Sequence, residues 1–282
     1  MTMSDHLPLV TGALRSPFKR PRPDADFPRT RLVRPGVRVD LDRLAAYERV
    51  CGFPTGEDAL PLTYPHVLAF PLAMRLMGGR GFPLPLLGLV HTSIDVTRHT
   101  SLPVDGTYEL AVHIAGLAPH RRGTQATVVI EARAAGKLVW DSRSTYLARH
   151  RTVGTGARED RTASAPQGGR PLPGGAEWRF GADVGRRYAA VSGDRNPIHL
   201  HPLTARLFGF PRPIAHGMWT VARCLAAHGA PEAVQVRAEF RAPVPLPGTV
   251  EYVAEGGRFE LRRGDRLHLT GAVQPFVPAD GH

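Results

Sequence analysis

The sequence YAAVSGDRNPIH at positions 188–199 begins as a short apolar helix and continues into a polar segment in which Pro197 stops any further helix. Downstream, apolar residues at positions 218, 221, 222, 225 and 226 recur with the spacing of one helix face. From 234 to 241, apolar and polar residues alternate strictly, which predicts a strand. Because no helix separates the strands that follow, this region favours a largely antiparallel sheet packed on a central helix.

The same order of elements occurs earlier in the chain. YERVCGF at 47–53 aligns with YAAVSGD at 188–194 at an offset of 141 residues, and LPVDGTYE at 102–109 aligns with VPLPGTVE at 244–251 at an offset of 142. Two matches at nearly one offset indicate an internal duplication. We therefore predict an α+β fold with two copies of a curved antiparallel sheet, each wrapped around a central helix.

Composition divides the chain into four parts. Residues 1–39 are rich in Pro and Arg without a sustained apolar period, so we expect an irregular segment there. Residues 40–150 hold the first copy, called the first half below. A linker rich in Gly, Pro, Ser and Ala is expected over 151–175, and the second copy, the second half, occupies 176–282. At the start of the first half, Asp40 or Asp42 can cap a helix over 41–50.

The overall composition excludes several classes of protein. The 282 residues are 42% hydrophobic and 22% charged, as in ordinary globular domains. The formal net charge of +11 comes almost entirely from Arg, without a nucleic-acid-binding motif, so we expect no nucleic-acid partner. We also expect no membrane span and no secretory leader. Cys51 and Cys224 lack the number and spacing for disulfides or zinc, which favours a cytoplasmic protein with no metal.

The two copies differ most in the segment that precedes the long helix, where the second copy has additional polar residues. In the second half, the segment from Tyr188 to His216 is nine residues longer than the equivalent segment from Tyr47 to His66 in the first half. The extra segment places Asp194 and His199 five positions apart, whereas the first half has an apolar Phe at the position of the acid. A carboxylate and an imidazole can together bind and deprotonate a water molecule near neutral pH. We therefore predict a functional loop in the second half alone.

The segment from Tyr188 to His199, together with GF at 209–210 and PIAHGM at 213–218, resembles the hydratase motif of the MaoC-like dehydratases, also called type 2 or R-specific enoyl-CoA hydratases. The resemblance implies a double hotdog fold with a degenerate first half, and the layout is similar to that of actinobacterial 3-hydroxyacyl-thioester dehydratases. It also implies reversible hydration of a trans-2-enoyl thioester to the (3R)-3-hydroxyacyl thioester. CoA or acyl carrier protein would carry the acyl group, with no metal or redox cofactor.

The resemblance assigns roles to individual residues. Asp194 and His199 are the catalytic pair, and the backbone N–H of Gly217 is the donor of the oxyanion hole. A helix N-terminus suits that task because its first N–H groups are free and its dipole is positive. In the family, water adds to one face of the substrate and supplies both the hydroxyl group and the proton.

Neighbouring residues are expected to support the loop. Asn196, Ser192 and His216 are assigned to structural support, since Ser192 and His216 have the counterparts Cys51 and His66 in the first half, which lacks the catalytic pair. Many family members have Asp two positions after the catalytic His, where this chain has His201, and we expect a structural role for this residue too.

Several alternatives remain open at this stage. The chain could be a non-catalytic acyl-thioester-binding or partner subunit, or a thioesterase on the same fold, and it could act as a monomeric double hotdog or a homodimer. Arg206 or Arg212 could meet CoA phosphates, whereas Arg121-Arg122 are expected to be solvated. Because Pro71 interrupts the apolar run at 68–77, we also hypothesise that the first half has lost part of its central helix to admit long acyl chains.

Overall fold

The structure, a computed structural model, describes residues 23–86, 88–151, 172 and 174–276. Most of the predicted linker at 151–175 therefore lies outside the described residues. The helices are α1 Leu41–Cys51, α2 Tyr64–Gly78, α3 Val184–Ser192, α4 Pro202–Leu207 and α5 Gly217–His228, with a 3-10 helix at Pro197–His199. The strands are β1 Leu32–Arg38, β2 Leu89–Arg98, β3 Thr107–His120, β4 Gly123–Ala134, β5 Lys137–Arg149, β6 Ala176–Phe180, β7 Val234–Phe240, β8 Gly248–Glu255, β9 Arg258–Arg263 and β10 Arg266–Pro275.

The ten strands of the described residues form one antiparallel sheet in the order β1-β3-β4-β5-β2-β7-β10-β9-β8-β6. Read from its centre outward, this order pairs each strand of the first half with the equivalent strand of the second half. The halves join where β2 pairs with β7, with Ile94 opposite Ala238 and Val96 opposite Val236. These four side chains are buried. The α+β fold and the internal duplication are thus confirmed.

Each half wraps its sheet around one long helix. In the second half α5 buries the face predicted from the apolar spacing, including Met218, Val221, Ala222 and Leu225. In the first half α2 is continuous over 15 residues and passes through Pro71. The hypothesis of a shortened first-half helix is therefore wrong. Proline removes one backbone donor, but the surrounding apolar residues of α2 pack into the core and hold the helix together.

The short helices α1 and α3 pack against each other across the pseudo-twofold axis. The rings of the equivalent residues Tyr47 and Tyr188 lie 6.1 Å apart, measured between centroids. Arg43 Nε of the first half donates to the Val191 carbonyl at 2.7 Å, close to the C-terminal end of α3. In the reverse direction, Trp219 Nε1 donates to the carbonyl of Val50 at 2.8 Å, close to the end of α1. A side chain of each half thus donates a hydrogen bond to a backbone carbonyl at a helix end of the other half.

The expectation of an irregular segment over residues 1–39 is wrong for its last part. Residues 32–38 form β1, an edge strand that pairs with β3 and has a register shift between Arg34 and Val37. Pro35 and Gly36 lie in that shift and hide the strand alternation in the sequence. The predicted cap of α1 is confirmed for Asp40, whose Oδ1 accepts from the backbone N–H of Arg43 at 3.1 Å. None of the described helices combines the length and apolarity needed to cross a membrane.

Candidate active site

A cavity of about 1170 Å³ opens between the two halves. The second half contributes the segments 194–199 and 214–218 and part of β7. The first half contributes an apolar end whose residues come from α2 and from the start of β2 with its preceding turn: Phe70, Met74, Met77, Leu86 and Leu89. Asp194 and His199 both line this cavity, so the structure brings the predicted pair together at one opening.

Local hydrogen bonds fix Asp194 at the end of α3. Gly193 caps the helix in the left-handed conformation, with φ of 82°, which glycine adopts without steric cost. The Asp194 N–H donates to Ser192 Oγ, and the Asn196 N–H donates to Asp194 Oδ1, each at 3.1 Å. Because Oδ1 is held by the backbone, Oδ2 remains the less constrained oxygen of the carboxylate. Ser192 thus contacts the backbone of Asp194 directly.

The 3-10 helix at Pro197–His199 carries the imidazole. Asn196 caps it, since Asn196 Oδ1 accepts from the Ile198 N–H at 3.4 Å. His199 Nδ1 lies 2.7 Å from the Ile214 carbonyl, which can only accept, so Nδ1 carries the proton and Nε2 offers a lone pair. An added methyl group at Gly185 of α3 would overlap the His199 carbonyl oxygen. Glycine at this position therefore lets the loop pack directly on α3.

His216, which directly precedes α5, packs against the loop that holds Asp194 and His199. Its ring stacks on the ring of His199, with 3.7 Å between centroids and 29° between planes. His216 Nε2 donates to the Asp194 carbonyl at 3.0 Å and lies 3.9 Å from Asp194 Oδ2. This one side chain thus contacts both Asp194 and His199.

Side-chain atoms of three residues at the cavity lie close enough to share one small ligand. One ligand atom from each of Asp194, His199 and His216 lies within 4.8 Å of the others. A water molecule with hydrogen bonds of about 2.8 Å can reach two atoms at such a separation. The same atoms could also hold a metal ion. However, His216 Nε2 is already engaged by a backbone carbonyl, and its Nδ1 is buried without a partner.

Burial keeps the imidazoles of the site neutral. It lowers the pKa of His199 below the ordinary value of 6.5, although the nearby Asp194 carboxylate opposes the shift. Burial together with the neighbouring His199 lowers the pKa of His216 to about 3. On the first-half wall of the cavity, burial lowers the pKa of His66 to about 4. At neutral pH His199 can therefore act as a base, since its Nε2 lone pair is free of a proton.

Gly217 is the first residue of α5 and also lines the cavity. The preceding His216 makes no side-chain cap to the helix, so the first N–H groups of α5 receive no acceptor from that side chain. A methyl group at Gly217 would lie 2.8 Å from the ring of Phe240. Glycine thus allows this aromatic ring to close over the helix start, beside the predicted oxyanion donor.

Other predicted residues lie outside the reactive centre. His201 caps α4, because its Nδ1 accepts from the Leu203 N–H at 3.2 Å. An Asp at this position could accept the same bond, so the departure from the family pattern preserves the cap. Arg206 Nε donates to the Pro211 carbonyl at 3.4 Å and Arg212 Nη1 to the Pro247 carbonyl at 3.2 Å, and neither residue lines the cavity.

The first half supplies cavity residues that sequence reasoning missed. The ring of His91 on β2 stacks on the ring of Tyr146 on β5, with 4.5 Å between centroids, and contacts Phe240 of the second half at 4.8 Å. Burial lowers the pKa of His91 to about 3. No local sequence pattern signals these residues, because the pairing of β2 with β5 and β7 brings them together.

Comparison with known proteins agrees with this geometry. The MaoC-like domain model matches residues 177–270, which hold the loop with Asp194 and His199 as well as α5. Over 244 residues the chain is 38% identical to 3-hydroxyacyl-thioester dehydratase X of Mycobacterium tuberculosis, covering 84% of this chain and 86% of that protein. The chain belongs to the MaoC-like dehydratase family.

The structural similarity of this member of the MaoC-like dehydratase family to solved proteins covers both halves of the chain. The crystal structure of HtdX from Mycobacterium tuberculosis superposes with a TM-score of 0.74 at 33% identity, covering 88% of this chain and 100% of that chain. A further Mycobacterium tuberculosis protein, described as a double hotdog fold, shares the fold at 16% identity with a TM-score of 0.51, covering 86% of this chain and 94% of that chain. The predicted double hotdog is thereby confirmed.

Proposed function

We propose that this chain is a hydro-lyase that interconverts a trans-2-enoyl thioester and a (3R)-3-hydroxyacyl thioester. The observation that carries the proposal is the convergence of Asp194 and His199 on one cavity, with ligand atoms within 4.8 Å. Family membership and the relative called 3-hydroxyacyl-thioester dehydratase X support it. Fatty-acid metabolism is the expected setting, because these thioesters are its intermediates.

The hydration step uses both members of the pair on one side of the substrate. Asp194 Oδ2 and His199 Nε2 bind the attacking water. As the water oxygen bonds to C3 of the enoyl group, Nε2 takes a proton, and the π electrons move onto the thioester. His199 then returns that proton to C2, so that the enzyme ends in its starting state. Dehydration follows the same steps in reverse.

The start of α5 stabilises the intermediate charge. Negative charge develops on the thioester oxygen when water attacks C3, and the backbone N–H of Gly217 is assigned to donate to that oxygen. The helix dipole of α5 adds a favourable partial charge at the same point. Removal of such a donor costs about 10²- to 10³-fold in turnover in other oxyanion holes.

The shape of the cavity favours an acyl chain longer than four carbons. Its apolar end in the first half is lined by side chains of α2, among them Met74 and Met77. Flexible methionine side chains adapt to apolar ligands of different length. The substrate would thus span both halves, with its reacting carbons at the second half. Since one chain supplies both walls, a monomer suffices to form the site, and we expect no resident cofactor or metal.

Crotonyl-CoA distinguishes this reaction from the two alternatives. Hydration removes the enoyl absorbance without releasing thiol, a thioesterase releases thiol, and a binding subunit does neither. We expect loss of absorbance, no thiol, and a (3R) product. Asp194→Asn and His199→Ala should each lower kcat by about 10² to 10⁴ while the fold is retained. Asp265→Asn, at an exposed turn between β9 and β10, is the matched control. Thiol release, or near-normal rates in both site variants, would refute the proposal.

A further inference from the structure

The short helix α4 exposes its large apolar residues to solvent and buries a small one. Leu203 and Leu207 are 64% and 83% exposed, whereas Ala205 between them is buried. The two leucines are four positions apart, so they lie on one face of the helix. Among the described residues, the other exposed large apolar side chains are Val33 and Leu41 of the first half. Single exposed leucines are ordinary, but an adjacent pair on one helix face indicates a contact surface.

Hydrogen bonds fix the orientation of α4. Thr204 Oγ1 donates to the carbonyl of Pro197 in the 3-10 helix at 2.7 Å. At the other end, the Phe210 N–H donates to the Ala205 carbonyl at 3.0 Å, after a turn through Gly209 with φ of 81°. Because Ala205 faces the protein, the helix cannot turn its leucines inward without exposing this contact. The leucines therefore project from a fixed backbone.

The surface around α4 is positively charged. No Asp or Glu occurs in the sequence between Asp194 and Glu232. Arg206 in α4 and Arg212 after it are exposed, and each donates one N–H group to a backbone carbonyl. Neither forms an ion pair with any residue that the structure describes. Their remaining N–H groups can bind phosphate oxygens, for which the guanidinium geometry is well suited.

The neighbouring helix α3 adds a further cation. Arg186 Nη1 donates to the Leu200 carbonyl at 3.4 Å, so this exposed guanidinium lies beside the segment that leads into α4. The acid that precedes α3, Asp183, lies 3.7 Å from Arg187, which offsets its charge. The surface thus combines projecting apolar groups with an excess of positive charge. We call the following residues the α4 face: Arg186, Leu203, Arg206, Leu207 and Arg212.

We propose that the α4 face docks the protein onto an anionic lipid surface, with its leucines among the acyl chains and its arginines at the headgroup phosphates. Interfacial helices bind membranes through buried apolar area together with attraction to anionic lipids, and the α4 face offers both. The net charge of +11 draws the whole chain toward the same surface. Phe210, which follows α4, lines the cavity, so docking would bring the cavity close to the lipid. This inference does not depend on the proposed reaction.

Two other occupants fit the α4 face less well. In a twofold dimer the face would meet itself, and the arginines of one copy would lie against those of the other. A helix of six residues also offers far less area than the roughly 800 Å² per partner of a stable interface. An acidic protein surface would pair with the arginines but would leave the leucines without apolar contacts. An anionic bilayer satisfies both kinds of group at once.

Sedimentation of the full chain with lipid vesicles tests the inference. We expect binding to vesicles of equal parts phosphatidylcholine and phosphatidylglycerol, and much weaker binding to phosphatidylcholine alone. Leu203→Gln/Leu207→Gln should lower the partition coefficient by roughly tenfold or more, because it removes the apolar area that enters the bilayer. Arg206→Ala/Arg212→Ala should also lower it by roughly tenfold or more, since each arginine near an anionic surface contributes about fivefold. Added salt should weaken wild-type binding.

Matched controls separate docking from general attraction of a basic chain. Arg34→Ala/Arg38→Ala removes the same charge from the exposed edge strand β1, and Leu41→Gln removes an exposed leucine from α1. Both should bind vesicles as the wild type does, and thermal unfolding should show that every variant is folded. Absence of wild-type binding, an equal loss in the charge control, or unchanged binding of Leu203→Gln/Leu207→Gln would each overturn the inference. A wild-type dimer that this leucine variant converts to a monomer would overturn it too, because the face would then bind a second copy.

Discussion

Gly185→Ala tests whether packing of the loop at 193–199 on α3 sets the position of His199. An added methyl group would overlap the His199 carbonyl oxygen and would lie 3.1 Å from its carbonyl carbon. The backbone at His199 has to retreat by about 1 Å to restore ordinary contact. Because α3 is anchored in the core through Tyr188, we expect the loop to move rather than the helix.

A displacement of this size should affect turnover more than folding. A misplacement of about 1 Å can cost 10²-fold in rate, so we expect kcat for crotonyl-CoA hydration to fall by about 10². Overpacking of the contact should lower the free energy of unfolding by about 1 to 3 kcal/mol. Steady-state kinetics and denaturant unfolding measure the two effects. Gly116→Ala is the control, since a methyl group there has no neighbour within 4 Å. A Gly185→Ala protein with kcat within threefold of wild type would refute this account of the loop.

Three further predictions concern protons and metals. His199 must be neutral to accept a proton, and burial lowers its pKa, so kcat/KM should fall on the acid side with a midpoint below pH 6.5. A midpoint above about pH 7 would contradict the assignment of His199 as the base. In the folded protein the pKa of His66 is about 4 and that of His216 is about 3, so between those values and pH 6.5 the unfolded chain binds more protons than the folded chain. The free energy of unfolding should therefore fall as the pH drops through this range. A free energy from urea unfolding that does not change with pH there would count against the burial of the two side chains. Dialysis against a chelator should leave the hydration rate unchanged, whereas a loss that added Zn²⁺ restores would show that Asp194, His199 and His216 bind a metal.

The sequence predicts those features that depend on repetition and local pattern. The shared offset of the motifs at 47–53 and 188–194 anticipates the pseudo-symmetric sheet, because duplicated segments adopt equivalent places in it. The alternation at 234–240 predicts both the strand β7 and its buried face. Asp194 and His199 are found because the loop that holds them is contiguous in the chain, and the structure shows both at one cavity.

Features that depend on distant contacts are not visible in the sequence. The edge strand β1 contains Pro35 and Gly36, and it forms because β3 offers a free edge about 75 residues later, a pairing that local propensity does not reveal. In the sequence, Pro71 suggests a break in the helix, yet burial of the surrounding residues of α2 outweighs the loss of one hydrogen bond. The position of Arg122, Arg149 and Arg195 at one cavity is likewise hidden, because only the fold brings the two halves together.

The central claim is that Asp194 and His199 hold a single water molecule on one face of the enoyl group. Hydration of crotonyl-CoA in deuterated water tests it most directly, because the new C2 deuterium and C3 hydroxyl record the faces that were attacked. NMR coupling constants of the product should show syn addition, since the proton taken by His199 returns from the side of the hydroxyl. An anti product would contradict the claim, because the proton would then come from a group on the opposite wall.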